Sequence, residues 1–494
     1  MTSPTSPAVA STMPASSGPS IGARYGHIGY VPLHGGGRVA MSPAIVAPPP
    51  TIRIVSPTYA HFFADGLYAK QPPSSAITSS AAVTFIISII GLFCRRVKSP
   101  LLPIFLIVLV DVLGFTIVIP LLALYAETFG ATPLVATTIV STYAVCSLIS
   151  TPIIGNLSDR YGRKPLLVYS QAGTCAGFLM IAFAQSLWML FAGRILDGLT
   201  AGNLSTAQAY ISDHTKPEDR AKAFGVIGIA FGIGFLFGPV LGGKLGEYVV
   251  EIGGAEANLA FLVAAGLSLL SIASTLTLLP GGRPPQTSED AALPAGKRPG
   301  AFDVATYVAY FRRPGLGALY AQFFLFTFAF SCFTGGFALF AQRRFGWTAK
   351  EVGYVFAYAG FLGIILQGGL IGRLVKRFGE APLAVAGFVA AALGYALLGA
   401  TYTITMIVLV ATVNGFGNGV LRPVITSLIT KAVGRHEQGV ALGISGSLSS
   451  LAMALAPPTG GLLLDHSWTT AWAIVPAAVA TLGLAAAVTS RAAR

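Results

Sequence analysis

The sequence predicts an all-α integral membrane protein, with twelve transmembrane helices arranged as two parallel six-helix bundles. Three observations carry that prediction. Apolar residues make up 54% of the 494, and the mean hydropathy is +0.73, well above the usage of soluble domains. Twelve apolar runs follow residue 100, each near the roughly 20 residues that a bilayer core demands of a spanning helix. Short signatures in the first half return in the second at a nearly constant offset, the mark of a duplicated unit.

In chain order, residues 1–80 are polar, rich in Pro, Ser, Thr and Ala, and without periodicity. That composition predicts a disordered tail and not a cleavable signal peptide. The flank 81–100 holds AVTFIISIIGLFC (82–94), then Arg95, Arg96 and Lys98; so short an apolar run is expected to lie at the interface. The first bundle, 101–280, contains runs near 101–126, 133–156, 165–186, 188–212, 221–246 and 258–280. A linker, 281–314, separates it from the second bundle, 315–490, with runs near 315–341, 349–372, 382–401, 403–431, 438–463 and 468–490. Backbone in lipid must satisfy its own hydrogen bonds, and these runs are too long for barrel strands, so helix is the reading.

The net charge of +13 is scattered through short loops, whereas a nucleic-acid binder gathers its bases on one face. If the residues before the first run are cytoplasmic, 21 Lys and Arg fall inside and 4 outside. The positive-inside rule then predicts that both termini and the linker are cytoplasmic. The four cysteines (Cys94, Cys146, Cys175, Cys332) all lie in apolar stretches, with no CxxC, and give no disulfide or metal pattern. No GxxxxGK[ST] loop occurs, so an ion gradient is the expected energy source. No cofactor, metal or catalysis is expected, and a monomer suffices.

GNLSDRYG (155–162) returns as GRLVKRFG (372–379), 217 positions on; LDGLTAG (196–202) returns as VNGFGNG (413–419) at the same offset. GPVLGG (238–243) resembles APPTGG (456–461) at an offset of 218. Parallel halves of this kind enclose a midplane site in transporters and rock to alternate access. Gly155 and Gly162 bracket a tight cytoplasmic bend. Asp159 beside it can hold a helix N-terminus or a nearby Arg in one state only, which makes a latch. Gly234, Gly238 and Gly242 recur every fourth residue, a smooth face for close packing, and Pro239 favours a bend beside Gly243.

GNLSDRYGRKPLL resembles the loop signature between the second and third helices of the major facilitator superfamily. FGIGFLFGPVLGG is similar to that superfamily's antiporter signature, and LWMLFAGRILDG and LFAQRRFGWTAKEVG are similar to stretches of its tetracycline/proton antiporter branch. The resemblance covers about residues 99–490. It implies that Asp159 latches the outward-facing state with Arg160 and Arg163 as supports, and that Lys376 alters the second-half copy. It also implies that Arg194 serves proton coupling and that the acid, His and Asp of tetracycline exporters are replaced here by Gly177, Gly363 and Ala391.

Ionisable residues at membrane depth are costly and therefore functional candidates. Asp111 stands alone in IVLVDVLGFTIVIP; burial disfavours its carboxylate and makes it a site for a proton or a substrate cation. Arg194 and Asp197, at i and i+3, are placed to pair. Arg422 in GNGVLRPVITSL has no acid nearby: it can attract an anionic group, pair with Asp111 or Asp197, or snorkel. Gln322 and Gln367 are candidate polar liners, and FFLFTFAFSCF (323–333) offers apolar walls. The reading is a proton-coupled secondary exporter of small amphiphilic molecules, with substrate, proton and bilayer as partners. The alternatives are a carrier of organic anions or metabolites using Arg422, and a non-transporting sensor with the same fold.

Overall fold

The computed structural model describes residues 53–55, 102–215, 220–252, 254–279, 304–434 and 437–492, all within one unit, Pro50–Arg494. The first half comprises α1 (Leu102–Val118), α2 (Leu122–Thr128), α3 (Pro133–Tyr161), α4 (Arg163–Ala182), α5 (Leu187–Leu199), α6 (Asn203–His214), α7 (Arg220–Leu245) and α8 (Leu259–Leu278). The second comprises α9 (Val304–Phe311), α10 (Leu316–Phe345), α11 (Ala349–Ile365), a π-turn (Leu366–Leu370), α12 (Ile371–Phe378), α13 (Glu380–Gly399), α14 (Ile404–Lys431), α15 (Gln438–Asp465) and α16 (Thr469–Ala492).

Helix ends follow local chemistry. Thr132 accepts the Val135 N–H ahead of Pro133, and Thr348 forms a capping box with Glu351, each satisfying donors left free in a first turn. Gly162 and Gly379, one repeat apart, hold the positive φ angles +99° and +81° that separate α3 from α4 and α12 from α13. The GNLSDRYG and GRLVKRFG copies therefore turn on the same backbone device.

Among the described residues ten stretches are long and apolar enough to cross a membrane, eleven if α1 and α2 form one bent span. Their bend of 41° falls at Pro120, which lacks the donor a continuous helix needs. The remaining expected run, 188–212, folds as α5 and α6, of 13 and 12 residues, each too short to cross alone. The break at Thr200–Gly202 frees backbone carbonyls, and α3 supplies donors. Ser150 Oγ reaches Gly198 O at 2.6 Å, and Thr151 Oγ1 reaches Ala201 O at 3.2 Å.

Two further elements lie outside the spanning helices. The tail contributes strand β1 (Arg53–Val55), which pairs antiparallel with β2 (Val249–Ile252), itself paired with β3 (Ala255–Asn258). Its backbone pairs along the open edge of a hairpin. The linker 281–314 contains α9. There Arg313 makes a bidentate bridge to Glu437 at 2.9 and 2.7 Å and covers the Tyr310 ring at 4.3 Å. The rest of 1–80, the flank 82–94 and linker residues 281–303 lie outside the described residues.

The halves repeat each other's packing: α1 lies on α7 and α8 as α10 lies on α15 and α16. Between halves, α7 packs on α11 and α3 on α15. Both seams close at the end remote from the basic 155–163 and 372–379 turns. At that end Gly243 abuts Ala349 and Lys350, Gly353 abuts the Pro239 carbonyl, and Gly461 abuts Thr137 and Pro133. Arg343 pairs with Glu127 at 2.7 Å, Thr348 Oγ1 reaches Glu247 at 3.5 Å, and Ser141 Oγ donates to Met453 O at 3.0 Å. Toward the basic end a Cβ on Gly155, Gly228, Gly363, Gly368, Gly372, Gly439 or Gly443 would meet nothing within 4 Å. The same four helices are thus zipped at one end and parted at the other.

Candidate functional site

Asp111 sits two turns into α1, half-buried in a crowded part of the helix bundle, with its carboxyl beside the Ser271 hydroxyl and the Gln171 amide. Those neighbours are themselves fixed. Gln171 Nε2 donates to Ser271 Oγ at 2.8 Å, and Thr275 Oγ1 donates to Gln171 Oε1 at 3.0 Å. All three are fully buried, so the network holds one orientation of the Gln171 amide between α4 and α8. No basic side chain pairs with Asp111 among the described residues.

Arg194 and Asp197 pair as their spacing predicts. Arg194 Nη1 lies 2.9 Å from Asp197 Oδ2, and both residues are 3% exposed. A buried ion pair of this kind gives little net stability, but removing one partner strands the other at a cost of about 3–5 kcal/mol. The guanidinium also lies over the Tyr143 ring at 4.7 Å, which adds a cation–π contact from α3. Its Nε is buried with no hydrogen-bond partner. Asp197 neighbours Thr174, and its charge is felt at Asp111. Three helices, α1, α3 and α5, therefore bring an acid, an aromatic and an ion pair into one electrostatic cluster (α4 and α8 add only neutral polar groups).

Gly177 makes that closeness possible. A Cβ there would stand 2.8 Å from the Gly193 carbonyl oxygen and 3.1 Å from Asp197 Cβ. Its repeat partner Gly394 does the same for Asn414, at 3.0 Å, and Asn414 lies 217 positions beyond Asp197. The second half thus keeps the packing and drops the charge.

The remaining sequence candidates are dispersed. Asp159 is paired with Arg163 of its own turn at 2.5 Å; Arg163 also holds Asp213 at 2.8 Å and the Ser158 hydroxyl at 2.6 Å. Arg160 lies over the Tyr161 ring. Gly238 and Gly242 fit against Thr116 and Ile117 of α1, Gly234 against Val112, and Gly243 and Pro239 against α11. Gln322 is buried, with its amide nitrogen donating to Ser490 Oγ at 3.0 Å and Ala486 O at 3.3 Å, and so ties α10 to α16. Gln367 is exposed on the π-turn. Arg422 pairs with neither Asp111 nor Asp197: its carbonyl accepts from Thr426 Oγ1 at 2.7 Å, while its side chain is exposed and makes no hydrogen bond or ion pair among the described residues.

This duplicated, half-zipped bundle can be compared with known proteins. The family model described as Major Facilitator Superfamily matches residues 104–401 and 368–493. The chain belongs to the major facilitator superfamily. Among curated relatives of this superfamily member, the class H tetracycline resistance protein of Pasteurella multocida is 30% identical over 368 residues, 74% of this chain and 88% of the relative. Solute carrier family 67 member A1 of Homo sapiens is 30% identical over 357 residues, 70% and 81% of the two chains. Among solved structures, the human organic anion transporter MFSD10 (TETRAN) superposes with a TM-score of 0.61 at 22% identity, covering 78% of this chain and 98% of that one. The superfamily makes this chain a multi-pass membrane transporter and not an enzyme.

Proposed function

We propose that this transporter exports small amphiphilic organic molecules in exchange for protons, by alternating access. The carrying observation is Asp111: a carboxyl with neutral donors on one side, a second acid within electrostatic range and no cation in contact among the described residues. Such a group changes charge with little rearrangement, which is what a site shared between proton and substrate requires. Arg194 and Asp197 tune it, because loosening their pair changes the field at Asp111. The relatives' names, tetracycline resistance and organic anion transport, support organic small molecules as cargo.

The zipped and parted ends support the second element of the reading. With the basic turns cytoplasmic, the chain stands open toward the cytoplasm and closed on the far side. Asp465, at the end of α15, accepts the Leu134 N–H in the first turn of α3 at 3.1 Å. Asp159, near the end of α3, faces no helix start here and is held by Arg163. In the opposite state Asp159 would hold the start of α15, at Gln438. Each of two antiparallel helices then carries an acid for the other's N-terminus, one used per state.

The test is flux in proteoliposomes with an imposed pH gradient, using a panel of cationic, neutral and anionic amphiphiles. Gradient-driven movement by the wild type, lost in Asp111→Asn, is expected; flux indifferent to the gradient in both would overturn the reading.

A further inference from the structure

A proton carrier at Asp111 has two charge states, and each makes a different demand on its neighbours. A carboxylate only accepts hydrogen bonds, whereas a carboxylic acid must also donate one. Unmet polar groups inside a helix bundle cost free energy in either state. The groups packed against Asp111 can meet both demands.

Side chains on a helix tilt toward its N-terminus, so the Asp111 carboxyl leans over the turn that begins at Ile107, four residues earlier. Ser271 Oγ of α8 stands at that same turn, 3.5 Å from the Ile107 carbonyl oxygen. The hydroxyl and the carboxyl therefore share one patch of α1, and the Gln171 amide of α4 completes it. Thr275 donates to Gln171 Oε1, so the amide turns its nitrogen to Ser271 and donates to Oγ. An amide nitrogen carries two N–H groups, and the second remains for Asp111. Ser271 Oγ, already accepting from Gln171, keeps one proton to give and one lone pair to fill. Two acceptors compete for that proton, Ile107 O and the Asp111 carboxyl, and at 3.5 Å the bond to Ile107 is at the outer limit. Ser271, Gln171 and Thr275 are all fully buried, so protein groups must satisfy one another here.

We propose that Ser271 is a positioning residue for proton coupling, a hydroxyl rotor that serves both charge states of Asp111. With Asp111 ionised, the Ser271 proton points at the carboxylate. With Asp111 protonated, the rotor turns to Ile107 O, and Ser271 Oγ accepts the new carboxyl proton. No heavy atom has to move. Thr275 keeps the Gln171 amide from turning its oxygen toward the carboxylate. This deepens the proton-coupling reading and rests on it for its consequence in transport, though the titration of Asp111 is measured without flux.

The charges that face Asp111 are the Arg194–Asp197 pair on α5, with the Tyr143 ring of α3 beside it. Elsewhere α8 carries no ionisable residue, α7 none between Lys222 and Lys244, and α4 only Cys175 beyond Tyr169. On α6 there are Tyr210 and, near its end, Asp213, which Arg163 holds, and His214. Removing the Ser271 hydroxyl leaves all of these in place.

The test is an infrared pH titration of the purified full chain in lipid, following the carbonyl stretch of protonated Asp111, identified as the band missing from Asp111→Asn. Ser271→Ala loses a bond to the ionised form that is stronger than the one it loses to the neutral form. Its Asp111 band should therefore persist to higher pH, by about one unit, and shift in frequency. Ser271→Thr, which keeps the hydroxyl, should titrate close to wild type. Ser268→Ala is the control: equally buried one turn earlier on α8, its hydroxyl is spent on Ala264 O of its own helix at 3.2 Å, and its titration should match wild type. An unmoved midpoint in Ser271→Ala, an equal shift in Ser268→Ala, or no titrating Asp111 band in wild type would overturn the assignment. If Ser271→Ala does not fold, Thr275→Val decides instead: with the amide free to turn, the midpoint should rise by a smaller amount, and no rise would overturn it. A shift as predicted in a protein whose flux ignores the pH gradient would sink the transport reading and leave the rotor standing.

Discussion

Asp465 Oδ1 accepts the backbone N–H of Leu134 at 3.1 Å, across the two halves of the chain. The last residue of α15 thereby satisfies a donor in the first turn of α3, where the helix dipole favours negative charge. Asp465→Asn removes the charge and Asp465→Ala the acceptor. An interaction of this type is worth about 1 kcal/mol, or roughly a fivefold change in population. Distance measurements between spin labels at Thr128 and His466, both exposed at this end, should show the parted population rising in Asp465→Ala. An unchanged distribution would remove Asp465 from the closure.

At the other end the proposal predicts the opposite sign. Asp159→Asn should enrich the arrangement seen here, since the acid acts in the alternate state. Labels at Tyr161 and Gly443 should report a larger share of parted basic ends, with transport reduced. Enrichment of the alternate state would contradict the two-ended clasp.

The α7–α11 seam depends on Gly353, where any Cβ would run into the Pro239 carbonyl. Gly353→Val is expected to cost about 1–3 kcal/mol of the zipped form through overpacking and to lower flux about tenfold or more. Gly266→Ala, on a glycine with nothing within 4 Å, should transport normally. Equal flux in both variants would mean that the seam does not need to close.

Acid should leave the α9 clasp intact until far below neutrality. The Arg313 guanidinium hydrogen-bonds Glu437 and brings its carboxyl down from 4.5 to about 2. A lowered folded value means the stabilisation is present above the unfolded pKa and disappears as pH falls through about 2. Protection of the α9 amides in hydrogen exchange should therefore hold at pH 4 and fail near pH 2. In Arg313→Gln the loss should move up toward pH 4.5, and failure of the wild-type clasp already at pH 4 would show that the bridge does not set it.

Much of this was legible before any coordinates. The apolar runs, the 217-residue offset and the i, i+3 spacing of Arg194 and Asp197 each reflect short-range pattern, which a sequence displays directly. The Gln171 network was not, because its partners lie 100 and 104 positions away and Ser or Thr in a greasy helix gives no signal of whom it faces. Tyr143 and Asp213 escaped for the same reason. Gln322 looked like a pore liner because depth in the sequence is visible and facing is not. The break between α5 and α6 falls at Thr200–Gly202, small residues of a kind that α14 carries unbroken at Gly415, Gly417 and Gly419, and β1 owes its existence to an edge that only the folded hairpin presents.

The most direct test of the account is the pH-gradient-driven flux of the amphiphile that wild type moves fastest, compared in liposomes with Asp111→Asn across external pH. The account predicts that wild type accumulates substrate against its gradient and acidifies or alkalises the lumen in step. It predicts that Asp111→Asn retains only downhill exchange with no proton movement. Uphill, proton-linked accumulation by Asp111→Asn at any pH would contradict it.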